Sequence, residues 1–312
     1  MSQILKEDLD LTTNFHTYLL TEKRVSKNTF FAYKKDIEQF VLFFNENKIS
    51  LDSCNKNHLK KYLKFLNDQN LSAKTLSRKI SALKSFFKFL NERFDFENKA
   101  KNLIFPKIEK NLPTYLTESE IQKLFGIANK DESLKGQRNK IMLYLLYASG
   151  MRVSELVALT VDQIHFDTGF VFLTGKGNKE RSVPLPVNIL NLLRYYLDNI
   201  YLKLLPENSG EKKYLFFSVY KNIIKPITRQ SFWIILRNIL KKADIYKNIS
   251  PHSLRHSLAT HLLKNGADIR SLQILLGHEN ISTVQIYTHL EKKQVREIMI
   301  KNIQGHEFLF FL

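Results

Sequence analysis

QRNKIMLYLLYASGMRVSELVALT, residues 137–160, followed by FVFLTGKGNKERSVPL, residues 170–185, decides the fold class. The first stretch reads as a buried helix, a glycine break at Gly150 and a second helix. The second switches period: two β-like runs flank a Gly-Lys-Gly turn, the pattern of a hairpin. Helical patterns then resume through PVNILNLLRYYLDNIYLK, TRQSFWIILRNILKKA, PHSLRHSLATHLLKNG, IRSLQILLG and ISTVQIYTHL, with residues 203–226 giving the least definite signal. The expectation is a mainly α chain carrying a small β-sheet or hairpin.

Upstream, residues 10–95 hold no glycine or proline, and apolar residues recur at helical spacing. LTTNFHTYLLTEKR, NTFFAYKKDIEQFVLFFNEN, NKNHLKKYLKFLNDQ and SAKTLSRKISALKSFFKFLNERF predict a bundle of about four helices, with Ser72 capping the last. In the second helix Phe31, Ile37, Phe40, Val41 and Phe44 are expected on one stripe. Lys34, Lys35, Lys60, Lys61, Lys64, Lys74, Arg78, Lys79 and Lys84 are expected on outward faces. Pro106 and Pro113 then fall among lysines with no periodicity. This gives a helical domain over residues 1–97, a linker over 98–114 and a second domain over 115–312. The second opens on T-E-S-E, a capping box with Thr117 as cap and Glu120 as its partner.

Composition narrows the function. The chain has 312 residues, enough for two ordinary domains, and 44% hydrophobic residues argue against disorder. Forty-eight Lys plus Arg stand against 30 Asp plus Glu, a net charge of +18. Residues 1–110 carry 21 basic and 13 acidic side chains and the remainder 27 and 17, so both halves are positive. A polyanion such as nucleic acid is the partner such a surplus suits, although a lysine-rich solubilising surface produces the same count. Cys54 is the only cysteine, which leaves no disulfide within the chain and no cysteine-based zinc site. No signal peptide is read at the N-terminus, and no apolar run approaches the ~20 residues of a membrane span. A cytoplasmic protein with no membrane partner is expected.

Cutting a phosphodiester without a metal takes a nucleophile, cations around the non-bridging oxygens and an acid for the leaving alkoxide. Arginine suits the second role because its planar fork donates two parallel hydrogen bonds and stays charged. Arg152 follows the Gly150 break at the head of a helix, with Glu155 one turn on to hold the guanidinium; a surface ion pair is the plainer alternative. On the helix after Pro251, His252, Arg255 and His256 share one face at i, i+3 and i+4. His252 reads equally as a cap, and His256 reads as a core histidine bonded to backbone. The two histidines have zinc-helix separation, but no HExxH and no nearby acid or cysteine completes a set, so no metal is expected. Lys176 sits at the hairpin tip between Gly175 and Gly177, which let the loop approach a backbone closely. In LGHENISTVQIYTHL, residues 276–290, His278 precedes Tyr287 by nine positions; a tyrosine there is ordinarily core or rim.

Taken in order, SGMRVSEL, TGKGNKERSVPL, HSLRHSLATHLL and LGHENISTVQIYTH resemble the active-site segments of the tyrosine recombinases, most closely the Xer type. NTFFAYKKDIEQF and KISALKSFFKFL resemble two helices of that family's core-binding domain, and PTYLTESEIQKL the start of its catalytic domain. The resemblance spans nearly the whole chain. It implies a two-domain tyrosine recombinase fold, an N-terminal helical core-binding, SAM-like bundle before a catalytic domain. It also implies a site-specific recombinase that cuts and rejoins DNA through a 3′-phosphotyrosine, needing neither ATP nor cofactor. Tyr287 would be the nucleophile, Arg152 and Arg255 the clamp on the phosphate, His278 a further hydrogen-bond donor, Lys176 the general acid and His252 an acid–base partner.

The partners implied are double-stranded DNA with an inverted-repeat site, copies of the chain or a paralogue in a tetrameric synapse, and a DNA translocase of the division machinery. The cellular role implied is resolution of chromosome dimers at a dif-like site. Glu279 departs from the small or neutral residue expected after His278, and the apolar ending GHEFLFFL is unusual for a solvated tail; it suits a neighbouring subunit's pocket or its own domain. An integrase of a mobile element and a non-catalytic architectural DNA-binding protein are the alternative readings.

Overall fold

A computed structural model describes residues 3–107, 114–174, 180–206 and 213–276, and divides the chain into two units, Met1–Asn111 and Leu112–Leu312. The readings placed on Lys176, His278, Glu279, Tyr287 and the apolar ending lie outside the described residues.

Four helices build the first unit: α1 (Gln3–Thr21), α2 (Lys27–Glu46), α3 (Lys56–Asp68) and α4 (Ala73–Phe94). Their starts are written in the sequence. Ser26, Asn55 and Ser72 accept amide hydrogens from Thr29, Asn57 and His58, and Thr75, satisfying donors that a helix leaves open at its head. α1 begins well before the expected Leu11, and its Asp8 turns inward to accept the Leu51 amide at 3.3 Å. The core is aromatic, with Phe15, Phe40, Phe44, Tyr62, Phe86 and Phe87 buried. Edge-to-face contacts such as Phe15–Phe86 and Phe40–Tyr62 suit the ring quadrupoles.

Three expectations here change. Phe31 is 63% exposed: it lies about 120° around α2 from Ile37, on one flank of the stripe, and it is Phe43 on the other flank that is buried. Lys79 turns inward, because buried Asp36 draws it in at 3.0 Å and takes Arg78 as well, so that the Asp36 carboxylate is paired twice. Within the segment expected as a linker, Ala100 is fully buried in the first unit's core and Leu103 packs on it.

The second unit forms around α6 (Leu134–Ser149), which is buried on nearly every side. That explains its unbroken apolar run: a helix with no wet face needs no amphipathic stripe. α5 (Glu118–Asn129) precedes it, opened by the expected capping box: Thr117 accepts the Glu120 amide, and Glu120 accepts the Thr117 amide at 2.7 Å. Thr117→Ala is expected to cost about 1 kcal/mol, a fall of about 2–4 °C in the melting temperature. After α7 (Val153–Ala158), β1 (Ile164–His165), β2 (Phe170–Thr174) and β3 (Glu180–Pro184) form an antiparallel sheet in that order. β1 adds one short strand to the expected hairpin.

α8 (Val187–Tyr196) continues through a π-helical stretch, Leu197–Tyr201, into α9 (Leu202–Leu204). A second hairpin, β4 (Phe217–Tyr220) with β5 (Ile223–Pro226), occupies the region of least definite signal. Its turn residues Lys221 and Asn222 both have positive φ, 49° and 60°, a conformation that lysine seldom advertises. α10 (Arg229–Lys242), α11 (Pro251–Lys264) and α12 (Ile269–Leu276) follow. Among the described residues no helix is long and apolar enough to cross a membrane.

Candidate active site

The site is assembled on Gly150. α6 ends there with φ at 59°, which an L side chain adopts only under strain, and a Cβ would sit 2.9 Å from side-chain carbons of both Leu258 and Leu276. Glycine is thus required twice over, by dihedral and by space. Its carbonyl oxygen accepts Nη1 of Arg255 at 2.6 Å, so the turn that ends α6 also holds a residue of α11. Arg255 completes its tie through Nη2 to the Leu276 carbonyl at the end of α12. Only 7% of Arg255 is exposed.

Two residues beyond the turn, Arg152 caps α7. Its backbone amide donates to Oε2 of Glu155 at 2.7 Å and its Nη1 to Oε1 at 3.0 Å, so the expected hold on the guanidinium is present. α7 has only six residues, which leaves the ion pair rather than a helix dipole to set the local electrostatics. Arg152 keeps about a third of its side chain exposed (34%). With Ser154, Glu155, Thr160 and Thr174 it lines an open cleft of about 540 Å³.

A residue that the sequence reading passed over completes the arrangement. Arg181 of β3 donates Nη1 to Oε1 and Nη2 to Oε2 of Glu155, both at 2.7 Å, a two-pronged pair that is almost wholly buried. A signal was available. Arg181 lies opposite Leu173 in the β2–β3 register, and Leu173, Val171 and Val183 all face the core. An arginine on the apolar side of a strand needs a carboxylate partner.

The titration behaviour follows. Burial alone would raise the Glu155 carboxyl, but hydrogen bonds from Arg181 and Arg152 together with the Arg181 charge hold it below the usual carboxylate range. Burial, then the like charges of Arg152 and Arg181, against the pull of Glu155, bring the Arg255 guanidinium down to about 10. It still carries its proton at neutral pH. Arg152 and Arg255 therefore share one electrostatic neighbourhood.

Comparison with known proteins decides what such a site belongs to. Residues 114–294 match the model of the phage integrase family, and residues 13–93 match the phage integrase N-terminal SAM-like domain. The chain belongs to the phage integrase family. It is 39% identical over 283 residues to the tyrosine recombinase XerD of Staphylococcus aureus (strain N315), covering 90% of this chain and 94% of that one. XerD of Staphylococcus epidermidis (strain ATCC 12228) is 38% identical over 300 residues, 96% of this chain and 97% of the relative. Within the family the chain is thus a Xer-type tyrosine recombinase, a site-specific DNA recombinase. The fold agrees. The XerH recombinase in its pre-cleavage complex superposes with a TM-score of 0.71 at 23% identity, over 95% of this chain and 96% of that one. The Tn1549 transposon integrase, in its complex with transposon right end DNA, gives 0.67 at 17% identity, over 92% and 98%.

In this recombinase His252 stands exposed on the first turn of α11, three residues before Arg255. The core histidine expected at position 256 is found five residues on. His256 is only half-buried, with its ring edge-on to Tyr115, whereas His261 is 2% exposed and pairs with the Tyr147 hydroxyl at 2.8 Å. The difference is helical phase: positions 254, 258 and 261 face α6, and 256 does not. Lys176, His278 and Tyr287 lie outside the described residues; β2 ends at Thr174 and β3 begins at Glu180. Among the described residues no cluster of three or more His, Cys, Asp or Glu is arranged for a metal ion.

Proposed function

We propose that the recombinase breaks DNA by transferring a strand to Tyr287. The phenolic oxygen attacks the scissile phosphorus, a P–O bond to tyrosine forms, and the bond to the 5′-oxygen breaks. The products are a 3′-phosphotyrosine and a free 5′-hydroxyl. Arg152 and Arg255 donate to the non-bridging oxygens and His278 adds a hydrogen bond. Lys176 protonates the departing 5′-oxygen, and His252 manages the tyrosine proton. A 5′-hydroxyl from another strand then attacks the phosphotyrosine and restores the phosphodiester. The reaction exchanges one phosphoester for another, so the scheme draws on no ATP and assigns no step to a metal.

One observation carries this reading most: Arg152 pairs with the buried Glu155 and lines an open cleft, and Arg255, from a different element, is buried within electrostatic reach of both. A purely architectural protein has no need to bury a guanidinium among others of like charge. The likeness to XerD over almost the whole chain supports a finer role. In it the substrate is a dif-like site of two inverted half-sites with a short spacer. Two pairs of protomers, of this chain or with a paralogue, bind it in the cytoplasm, resolve chromosome dimers and answer to a division-linked DNA translocase.

The test is a nicked suicide duplex, from which the short 5′-hydroxyl fragment diffuses away and leaves the adduct trapped. A covalent protein–DNA species in EDTA and without ATP is the expected result. Tight, salt-dependent binding to the inverted-repeat site with no adduct over the full time course would overturn the assignment.

A further inference from the structure

Arg152 and Arg181 both pair with Glu155 and Arg255 feels the charge of all three, yet the chemistry above uses only Arg152 and Arg255. Arg181 remains. Both of its Nη atoms are committed to a carboxylate, which offsets its charge, whereas Arg255 is held only by neutral backbone carbonyls, so of the two it is Arg181 that is poorly placed to serve a phosphate. What it does touch is both oxygens of the carboxylate that holds Arg152. Glu155 can meet Arg152 in two ways. With its oxygens engaged from behind by Arg181, it takes the Arg152 backbone amide on one oxygen and a single guanidinium nitrogen, Nη1, on the other. Without Arg181, a buried carboxylate facing one arginine would close on both prongs of that fork, the stronger geometry for such a pair. The guanidinium would then be turned toward Glu155 and its charge cancelled where the phosphate needs it.

Arg181 is also the second residue of β3 and is paired with Leu173 of β2. The Arg181–Glu155 pair therefore ties β3, and the β2 strand paired with it, to α7. We propose that Arg181 is a positioning residue of the recombinase: it occupies Glu155 so that Arg152 presents its charge to the scissile phosphate, and it locks the β2–β3 hairpin to α7. The inference rests on Arg152 as a phosphate clamp.

The experiment uses the full chain and single-turnover cleavage of the suicide duplex. Substrates carry either the natural phosphate or a methylphosphonate, in which a methyl group replaces one non-bridging oxygen and removes the charge. Arg181→Gln is expected to slow adduct formation about 10- to 100-fold on the natural phosphate, as a displaced catalytic group does, while the DNA dissociation constant stays within about twofold. On the methylphosphonate the deficit relative to wild type is expected to shrink, as it does for Arg152→Ala, because less charge has to be clamped. Adding Glu155→Gln to Arg181→Gln is expected to recover part of the rate, since a neutral amide cannot capture Arg152. Arg181→Lys keeps the charge but loses the fork; should the glutamine variant fail to fold, the lysine variant carries the same comparison.

An Arg181→Gln or Arg181→Lys protein that cleaves at the wild-type rate overturns the inference alone. So does an equal deficit on both substrates, which marks a structural role only. No adduct from the wild-type protein overturns the clamp reading and the inference with it.

Discussion

Tyr287→Phe is expected to abolish covalent attachment to DNA while leaving affinity for the duplex within about twofold. The substitution removes one oxygen and keeps the ring, so whatever packing position 287 provides survives. What disappears is the atom that bonds to phosphorus, and no neighbouring group of the proposed site replaces a nucleophile; a drop of about 10⁴-fold or more in adduct formation follows. The contrast with binding makes the result interpretable. Affinity for DNA comes mainly from phosphate contacts spread over a basic chain of net charge +18, and one neutral phenol adds little to it. Adduct formation by the variant on the suicide duplex would reassign the nucleophile to another of the thirteen tyrosines. The unperturbed phenol has a pKa of about 10, so reaction at neutral pH depends on cations that favour phenolate and a base that takes the proton.

Arg255→Ala is expected to be the next most damaging change, slowing cleavage by about 10²- to 10³-fold, or about 3–4 kcal/mol in the barrier. The guanidinium is buried and already hydrogen-bonded to the Gly150 and Leu276 carbonyls, so in the proposed clamp it would act from a fixed position. Alanine removes the charge and leaves those two carbonyls without their donor. Stability is expected to fall too, by less than a buried ion pair normally costs, because Arg255 is pressed by Arg152 and Arg181 and their repulsion goes with it. Arg255→Lys separates the two effects: charge returns, the fork does not, and an intermediate rate is expected. Single-turnover cleavage beside a thermal melt reads both quantities, and a full rate from the alanine variant would remove Arg255 from the clamp.

What could be read from the sequence was whatever depends on near neighbours. The caps at Ser72 and Thr117 act three residues away, the hairpin announces itself by a change of period around Gly-Lys-Gly, and α6 shows as an unbroken apolar run. Arg152 and Glu155 lie one turn apart, so their pairing was visible as well. Contacts across long stretches of chain were not. Lys79 reads as an outward charge because nothing near it in the sequence shows that Asp36, 43 residues earlier, is buried and pairs with it. Arg181 was passed over because its partner lies 26 residues back, although strand alternation placed it on the apolar side. The β4–β5 hairpin hid because its turn uses Lys221 and Asn222 where glycine would have marked it. Convergence of Arg152 with Arg255 was expected only through family resemblance; the Gly150 carbonyl that enforces it is a backbone atom that no motif displays.

The clustering of Arg152, Arg181 and Arg255 around Glu155 has a thermodynamic corollary. Folding this domain sets Arg255 against the like charges of Arg152 and Arg181, a repulsion that Glu155 offsets in part. A phosphate held in the proposed clamp would add a further counter-charge, and the nucleic acid would then be a component of the folded state as well as its substrate. The duplex should tighten the domain most where its chemistry happens.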